Sequence, residues 1–171
     1  MALHRSGSRS ATIRAYALVA GQFTLLAVLL LWHPSAQWTI PGSLRTVAAG
    51  AGIAGAVWLC GGLLSFGRSL SAVPLPVEHG TLKTGGLFRF SRHPIYTGLL
   101  AIAWSSSVRS GALAPLLVAA LLTALLSVKA RFEEAALATA YPGYGEYALR
   151  TPRFVPWPQR LRRSSRSSGL P

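Results

Sequence analysis

The chain has 171 residues, 51% of them hydrophobic and only 12% charged, with a mean hydropathy of +0.41 and a formal charge of +13. A soluble domain carries about a quarter charged residues, so this composition excludes an ordinary soluble domain and a disordered basic tail, and points to a lipid-embedded protein. All four acidic residues are Glu, with neither Asp nor Asn present, and Cys60 is the single cysteine; this removes Asp-built calcium loops, a Ser-His-Asp triad, the magnesium-holding Asp and Asn of kinases, an internal disulfide and a cysteine-rich zinc site.

Residues 1–14 carry Arg5, Arg9 and Arg14 and read as a basic cytoplasmic N-terminus. Ala15 to Trp32 is eighteen residues without a charge, about 27 Å as a helix and close to the hydrocarbon thickness, which predicts a first transmembrane helix. It is longer than a signal-peptide core and no small-x-small cleavage site follows. A polar turn from His33 to Ser43 leads to a second charge-free run, Thr46 to Phe66, with Trp32, Trp38 and Trp58 as headgroup-level anchors. Inside that run Gly50, Gly52 and Gly55 match a dinucleotide fingerprint. No strand precedes them and no acid stands about twenty residues on, so they read instead as small residues for close helix approach, Gly52 with Ala56 at four-residue spacing. Residues 67–93 form a loop holding Arg68, Lys83, Arg89, Arg92, Pro74, Pro76 and the Gly85-Gly86 pair. Ile95 to Val108 is short for a crossing; with a polar turn from Ser105 to Gly111 and the charge-free run Gly111 to Val128 it predicts a helical hairpin. After Lys129 comes a polar segment with Glu133, Glu134, Tyr141, Tyr144 and Tyr147, then an Arg-Ser tail, 159–171, expected to be disordered.

With four crossings, fifteen of the seventeen basic residues fall on one side and only Arg45 and Arg109 on the other. By the positive-inside rule both termini and the middle loop are then cytoplasmic. The expected architecture is an all-α polytopic membrane protein with about four transmembrane helices, a cytoplasmic cofactor-binding loop and a C-terminal segment, placed in a bacterial cell membrane. The cations orient the chain and meet anionic headgroups, so no nucleic-acid partner is expected. Loop and C-terminal segment meet at one end of the hairpin.

Two segments carry candidate chemistry. Arg92 and His93 stand immediately before Pro94 at the mouth of the third helix, where exposed N–H donors and partial positive charge favour an anion such as a carboxylate. Glu133 and Glu134 lie just past a membrane helix, where acids are expensive without partners, and are candidates to accept hydroxyls or offset a cation. The plainer alternatives are snorkelling cations at the first segment and a helix face salt-bridged to Lys129 and Arg131 at the second. His4, His33, His79 and His93 show no i,i+4 pair, so no metal site is expected.

The run Gly86, Phe88, Arg92-His93-Pro94-Ile95-Tyr96-Thr97-Gly98, then Glu133-Glu134 with Leu137, Tyr144-Gly145-Glu146-Tyr147 and Pro156 resembles the isoprenylcysteine carboxyl methyltransferases and related phospholipid methyltransferases. These are integral membrane enzymes that use S-adenosylmethionine. The resemblance covers about Glu78 to Pro158. It implies a cofactor pocket lined by His93, Pro94, Ile95 and Tyr96, with Thr81, Leu82 and Phe88 from the preceding loop and Glu133, beside Glu134, as the cofactor-binding acid. The loop carries one residue more than the prenylcysteine enzymes have between His79 and Phe88, so Thr81 and Leu82 match approximately. A substrate-contacting arginine of the family, one turn ahead of the acid, is Lys129 here, with Arg131 two residues away. Lysine does not reproduce a bidentate arginine grip, which leaves open the substrate group and which cation holds it.

The expected function is therefore S-adenosylmethionine-dependent methylation of a lipophilic acceptor at the cytoplasmic membrane face, foremost a carboxylate. Arg92, Lys129 and Arg131 are the candidate catalytic cations. Transfer from an activated cofactor needs positioning and desolvation more than acid-base work, which suits a chain without Asp. Three alternatives stand beside it: phospholipid N-methylation, a membrane reductase binding NADPH, and a non-enzymatic membrane adaptor acting through the Arg-rich tail. Expected partners are a prenylated or other lipid-like substrate and membrane lipids, with the oligomeric state open.

Overall fold

The computed structural model describes residues 3–66 and 82–155. Thr81, most of the middle loop and the Arg-Ser tail lie outside the described residues. All regular structure among the described residues is helical: α1 (Leu3–Leu31), α2 (Gly42–Phe66), a 3-10 turn (Gly86–Arg89), α3 (Pro94–Ser110), α4 (Leu113–Ala140) and α5 (Tyr144–Arg150). Gly42–Ser65 and Leu113–Ala140 are long and apolar enough to cross a membrane, and Tyr16–Leu31 is a shorter apolar helix.

Two predicted boundaries move outward. Helix α1 begins at Leu3, well inside the expected basic N-terminal segment. Helix α4 runs to Ala140, twelve residues past the expected end at Val128. Loss of apolar character does not stop a helix. From Lys129 to Ala140 the residues are mainly Ala, Leu, Glu, Lys and Arg, strong helix formers, and the first breaker is Pro142. This extension carries Glu133 and Glu134 on a rigid rod continuous with the apolar helix.

Helix α2 lies along α3, α3 along α4, and α1 along α4. Leu122 and Leu126 of α4 are fully buried against Tyr96, Leu100 and Ala103 of α3, with Leu25, Leu26 and Leu29 of α1 closing the far side. The α2–α3 contact is backbone-close. Residues 48, 52, 55, 59 and 62 form its stripe, so Gly52 pairs with Gly55 rather than with Ala56, which is exposed. A Cβ at Gly98 would sit 2.6 Å from the Gly55 carbonyl oxygen and 2.7 Å from the Leu59 nitrogen, and backbone cannot swing aside as a side chain can. Gly98→Ala should therefore destabilise the fold by about 2 kcal/mol, read as a lowered unfolding temperature in detergent. Gly50→Ala, whose Cβ would meet nothing within 4 Å, should be neutral or slightly stabilising.

The expected polar turn at Ser105–Gly111 is corrected. Helix α3 continues through Ser110 and ends at Gly111, whose φ of 64° is left-handed and suits glycine. Ser105 and Ser107 lie inside the helix and buried: Ser105 donates to the Ala48 carbonyl (2.5 Å), and Ser107 to those of Ala103 (2.7 Å) and Pro115 (2.9 Å). Each hydroxyl is satisfied by a carbonyl, and two of the three bonds tie neighbouring helices together. At the same end Gln37 accepts the Leu113 N–H at 2.9 Å, and the Gln37 and Trp38 N–H groups donate to the Gly111 carbonyl, so the α1–α2 connection caps the hairpin.

Candidate functional site

The i,i+4 spacing puts Lys129 and Glu133 on the α4 face that packs against the start of α3, with Glu134 beside them. Pro94 opens α3, fully buried, and Tyr96 follows one residue after Ile95. Tyr96 donates its hydroxyl to Glu133 Oε1 at 2.5 Å, and its ring stacks on His93 with centroids 5.2 Å apart and planes 3° apart.

His93 bridges the two acids. Its Nε2 lies 3.1 Å from Glu134 Oε1 and its Nδ1 3.4 Å from Glu133 Oε2. A neutral imidazole donates from one nitrogen only, so two facing carboxylates favour the imidazolium. Burial alone would lower the pKa of this side chain; hydrogen bonding to Glu133 and Glu134 and their charge outweigh it, and the pKa stands above the ordinary 6.5. The stabilisation is complete below the unfolded value and is lost as pH rises through the higher folded value. The unfolding temperature of the wild type should thus fall as pH rises above about 6.5, and His93→Asn should flatten that dependence in a pH series of thermal melts.

Glu134 is the most heavily engaged group. It accepts Arg153 Nε at 2.9 Å and Arg153 Nη2 at 2.6 Å as a two-pronged pair, with Arg92 Nη2 at 3.3 Å. Arg153 arrives on an extended strap that follows α5. The Arg92 and His93 N–H groups donate to the carbonyls of Pro152 (2.9 Å) and Arg153 (3.1 Å), Ser91 Oγ to that of Arg153 (2.9 Å) and Thr97 Oγ1 to that of Phe154 (2.5 Å). Tyr147 donates to the Phe88 carbonyl at 2.7 Å, which pins the 3-10 turn under α5. Arg153 and the strap were missed in the sequence: a Thr-Pro-Arg-Phe stretch has no periodicity that would announce it.

Anions already stand beside the α3 start. The chain supplies its own anions there, Glu133 through Tyr96 and both glutamates through His93, while the strap carbonyls take the N–H groups of Arg92 and His93. Three buried side-chain donors among the described residues have no hydrogen-bond partner, and two of them, Arg92 Nε and the Tyr144 hydroxyl, belong to this end of the molecule; the third, Trp58 Nε1, is on α2. Glu133 is the less committed acid, with Tyr96 as its one short bond, His93 at 3.4 Å and Lys129 Nζ at 4.0 Å.

The other expected residues divide. Lys129 is buried with its Nζ 5.3 Å from the Tyr96 ring centroid, so it belongs to the cluster. Arg131 is exposed, about half a helical turn round from Lys129, and makes no ion pair among the described residues; it is not brought to the site. Phe88 is buried beneath α5, whereas Ile95 turns to α2, its side chain against Gly62. Leu82 is half-buried ahead of the 3-10 turn, and Thr81 lies outside the described residues. Among the described residues no three His, Cys, Asp or Glu side chains are grouped to hold a metal ion. An open cleft of about 320 Å³ lined by Gln37, Trp38, Arg45 and Ser110 lies at the opposite end of α3 and contains no acid; the ionic cluster is the better candidate site.

A phospholipid methyltransferase family model matches residues 48–143. The cobalt-zinc-cadmium resistance protein CzcN of Cupriavidus metallidurans is 33% identical over 141 residues, which cover 77% of this chain and 58% of that protein. The chain thus spans a little over half the length of that curated relative. No solved structure matches. The family match takes in the glutamate pair and the α3 start, and leaves out α1 and the strap with Arg153.

Proposed function

The chain belongs to the phospholipid methyltransferase family, and from that premise we propose that it transfers a methyl group from S-adenosylmethionine to an oxygen on a lipophilic, anionic acceptor at the cytoplasmic face of a membrane. The observation that supports this most is the pairing of unspent donors with an under-used acid: Arg92 Nε and the Tyr144 hydroxyl on one side, Glu133 on the other. A cofactor bearing a carboxylate, an ammonium group and ribose hydroxyls needs both kinds of partner, donors for its carboxylate and an anion for the rest.

Each residue then has a task. Arg92 and Tyr144 bind the cofactor carboxylate, and Glu133 binds the ammonium or ribose. His93 and Tyr96 hold the Glu133 side chain in place, the stacked rings limiting its rotamers. Glu134, saturated by Arg153, Arg92 and His93, fixes the strap and serves architecture. S-adenosylmethionine, held by these residues, would supply a methyl group already activated on sulfonium for in-line transfer to an acceptor oxygen, the C–S bonding pair remaining on sulfur. A carboxylate brings no proton to remove, so no general base is required. The cluster favours an anionic acceptor over an amine, since Arg92, Lys129, Arg153 and the imidazolium of His93 outnumber two glutamates by two charges.

In this reading four helices cross the bilayer with both termini and the middle loop cytoplasmic, which brings a water-borne cofactor and a bilayer-borne substrate to one interface. The metal-resistance name of the relative adds nothing that the cluster supports. The test is mass spectrometry of lipid extracts from cells with and without the protein, fed isotopically labelled methionine. A labelled methyl ester or ether that appears only with the protein supports the proposal; labelled N-methyl lipid would replace it with phospholipid N-methylation.

A further inference from the structure

Helix α1 lies outside the matched family segment, yet it sends one polar side chain into the cluster. Gln22 stands within the apolar Tyr16–Leu31 stretch, and its Oε1 accepts Lys129 Nζ at 3.1 Å. An ammonium can only donate, so the atom facing it must be the amide oxygen, and the position of Nε2 follows. The Gln22 amide nitrogen has no hydrogen-bond partner among the described residues. A carboxamide in a lipid-facing helix is costly unless its donors are used. Lys129 also has protons to spare: Gln22 takes one, Glu133 at 4.0 Å is beyond hydrogen-bond reach, and the Tyr96 ring covers one side. Its Nζ and the Gln22 Nε2 therefore offer adjoining N–H donors, one turn of α4 deeper in the bilayer than Glu133.

Resting on the methyltransferase reading, we propose that Gln22 is an acceptor-selecting residue: its amide N–H and the Lys129 ammonium together grip the anionic oxygen of a lipid-like acceptor. Helix α1, which lies outside the matched family segment, thereby sets which head group enters. Gly21 brings α1 close to α4 at the preceding position, where a Cβ would lie 2.9 Å from Leu125, and so holds the Gln22 amide against Lys129.

The test varies only the head group. Dissociation constants of oleate, methyl oleate and oleylamine, three probes sharing one apolar chain, are measured on the purified full chain in detergent with S-adenosylhomocysteine present. The wild type should prefer oleate to both others by at least about tenfold, as a charge-assisted hydrogen bond implies. Gln22→Leu should weaken oleate about tenfold and leave methyl oleate unchanged. Gln22→Glu decides the matter if that variant folds poorly. It keeps an oxygen facing Lys129 and so preserves the tie between helices, but it lacks the N–H donors and should reverse the preference towards oleylamine. Wild-type selectivity in Gln22→Glu would overturn the proposal and leave Gln22 a strut between α1 and α4. Failure of the methyltransferase reading is seen separately, as absence of S-adenosylhomocysteine binding in the wild type.

Discussion

Replacing Glu134 with alanine is expected to lower stability by about 3 kcal/mol and to expose residues 141–155 to protease. The carboxylate holds three cations at once, Arg153 through two short bonds and Arg92 and His93 at 3.3 and 3.1 Å. Its side chain is only 12% exposed, as against 31% for that of Arg153. Removing it leaves those cations beside one another with Glu133 alone to offset them. Breaking a buried pair from one side costs about 3–5 kcal/mol, and the partial exposure of Arg153 places the expected value at the low end. The strap would lose Arg153 as an anchor while keeping its backbone bonds to Arg92 and His93, so it should loosen while the α2–α3–α4 packing persists. Thermal unfolding in detergent together with limited proteolysis reads both effects. An unchanged melt with a protected strap would show that the backbone bonds alone hold residues 151–155.

Glu133→Gln is expected to do the reverse, with cofactor affinity falling by at least about a hundredfold and stability changing by no more than about 1 kcal/mol. The glutamine retains an oxygen for the Tyr96 hydroxyl, the one short bond that Glu133 makes. The ion contacts it would weaken are long, 3.4 Å to His93 and 4.0 Å to Lys129. What disappears is the negative charge that a cofactor ammonium or ribose would meet. Titration of S-adenosylhomocysteine into each variant separates the two adjacent acids. If Glu134→Gln loses binding with its fold intact while Glu133→Gln binds normally, the roles are exchanged.

The sequence was informative where a run of residues repeats a physical constraint. Charge-free stretches near membrane length mark α2 and α4, and Arg92-His93-Pro94 marks the entry to α3 because proline suits a helix start. It was silent where one residue acts through distant partners. Nothing in the local pattern distinguishes Arg153, paired with Glu134, from the exposed Arg150, whose pair with Glu146 lies in solvent. Nor does it separate Gln22 from any stray polar residue in an apolar helix. Glu133 and Glu134 are equivalent as letters. Only the angle at which α4 presents them, 100° apart around its axis, sends one to the strap and the other to Tyr96. Ser105 and Ser107 were misplaced for a related reason: a cluster of serines reads as a turn in water, but in an apolar helix the same hydroxyls bond to carbonyls and hold helices together.

The cluster of Arg92, His93, Tyr96, Glu133 and Tyr144 is the proposed S-adenosylmethionine site. Calorimetric titration of the purified protein in nanodiscs with S-adenosylhomocysteine tests it most directly. Saturable binding is expected in the wild type, abolished by Glu133→Gln and by His93→Ala while both variants remain folded. Heats indistinguishable from dilution in a wild-type protein shown to be folded by its melting transition, or saturable binding of NADPH in its place, would contradict it.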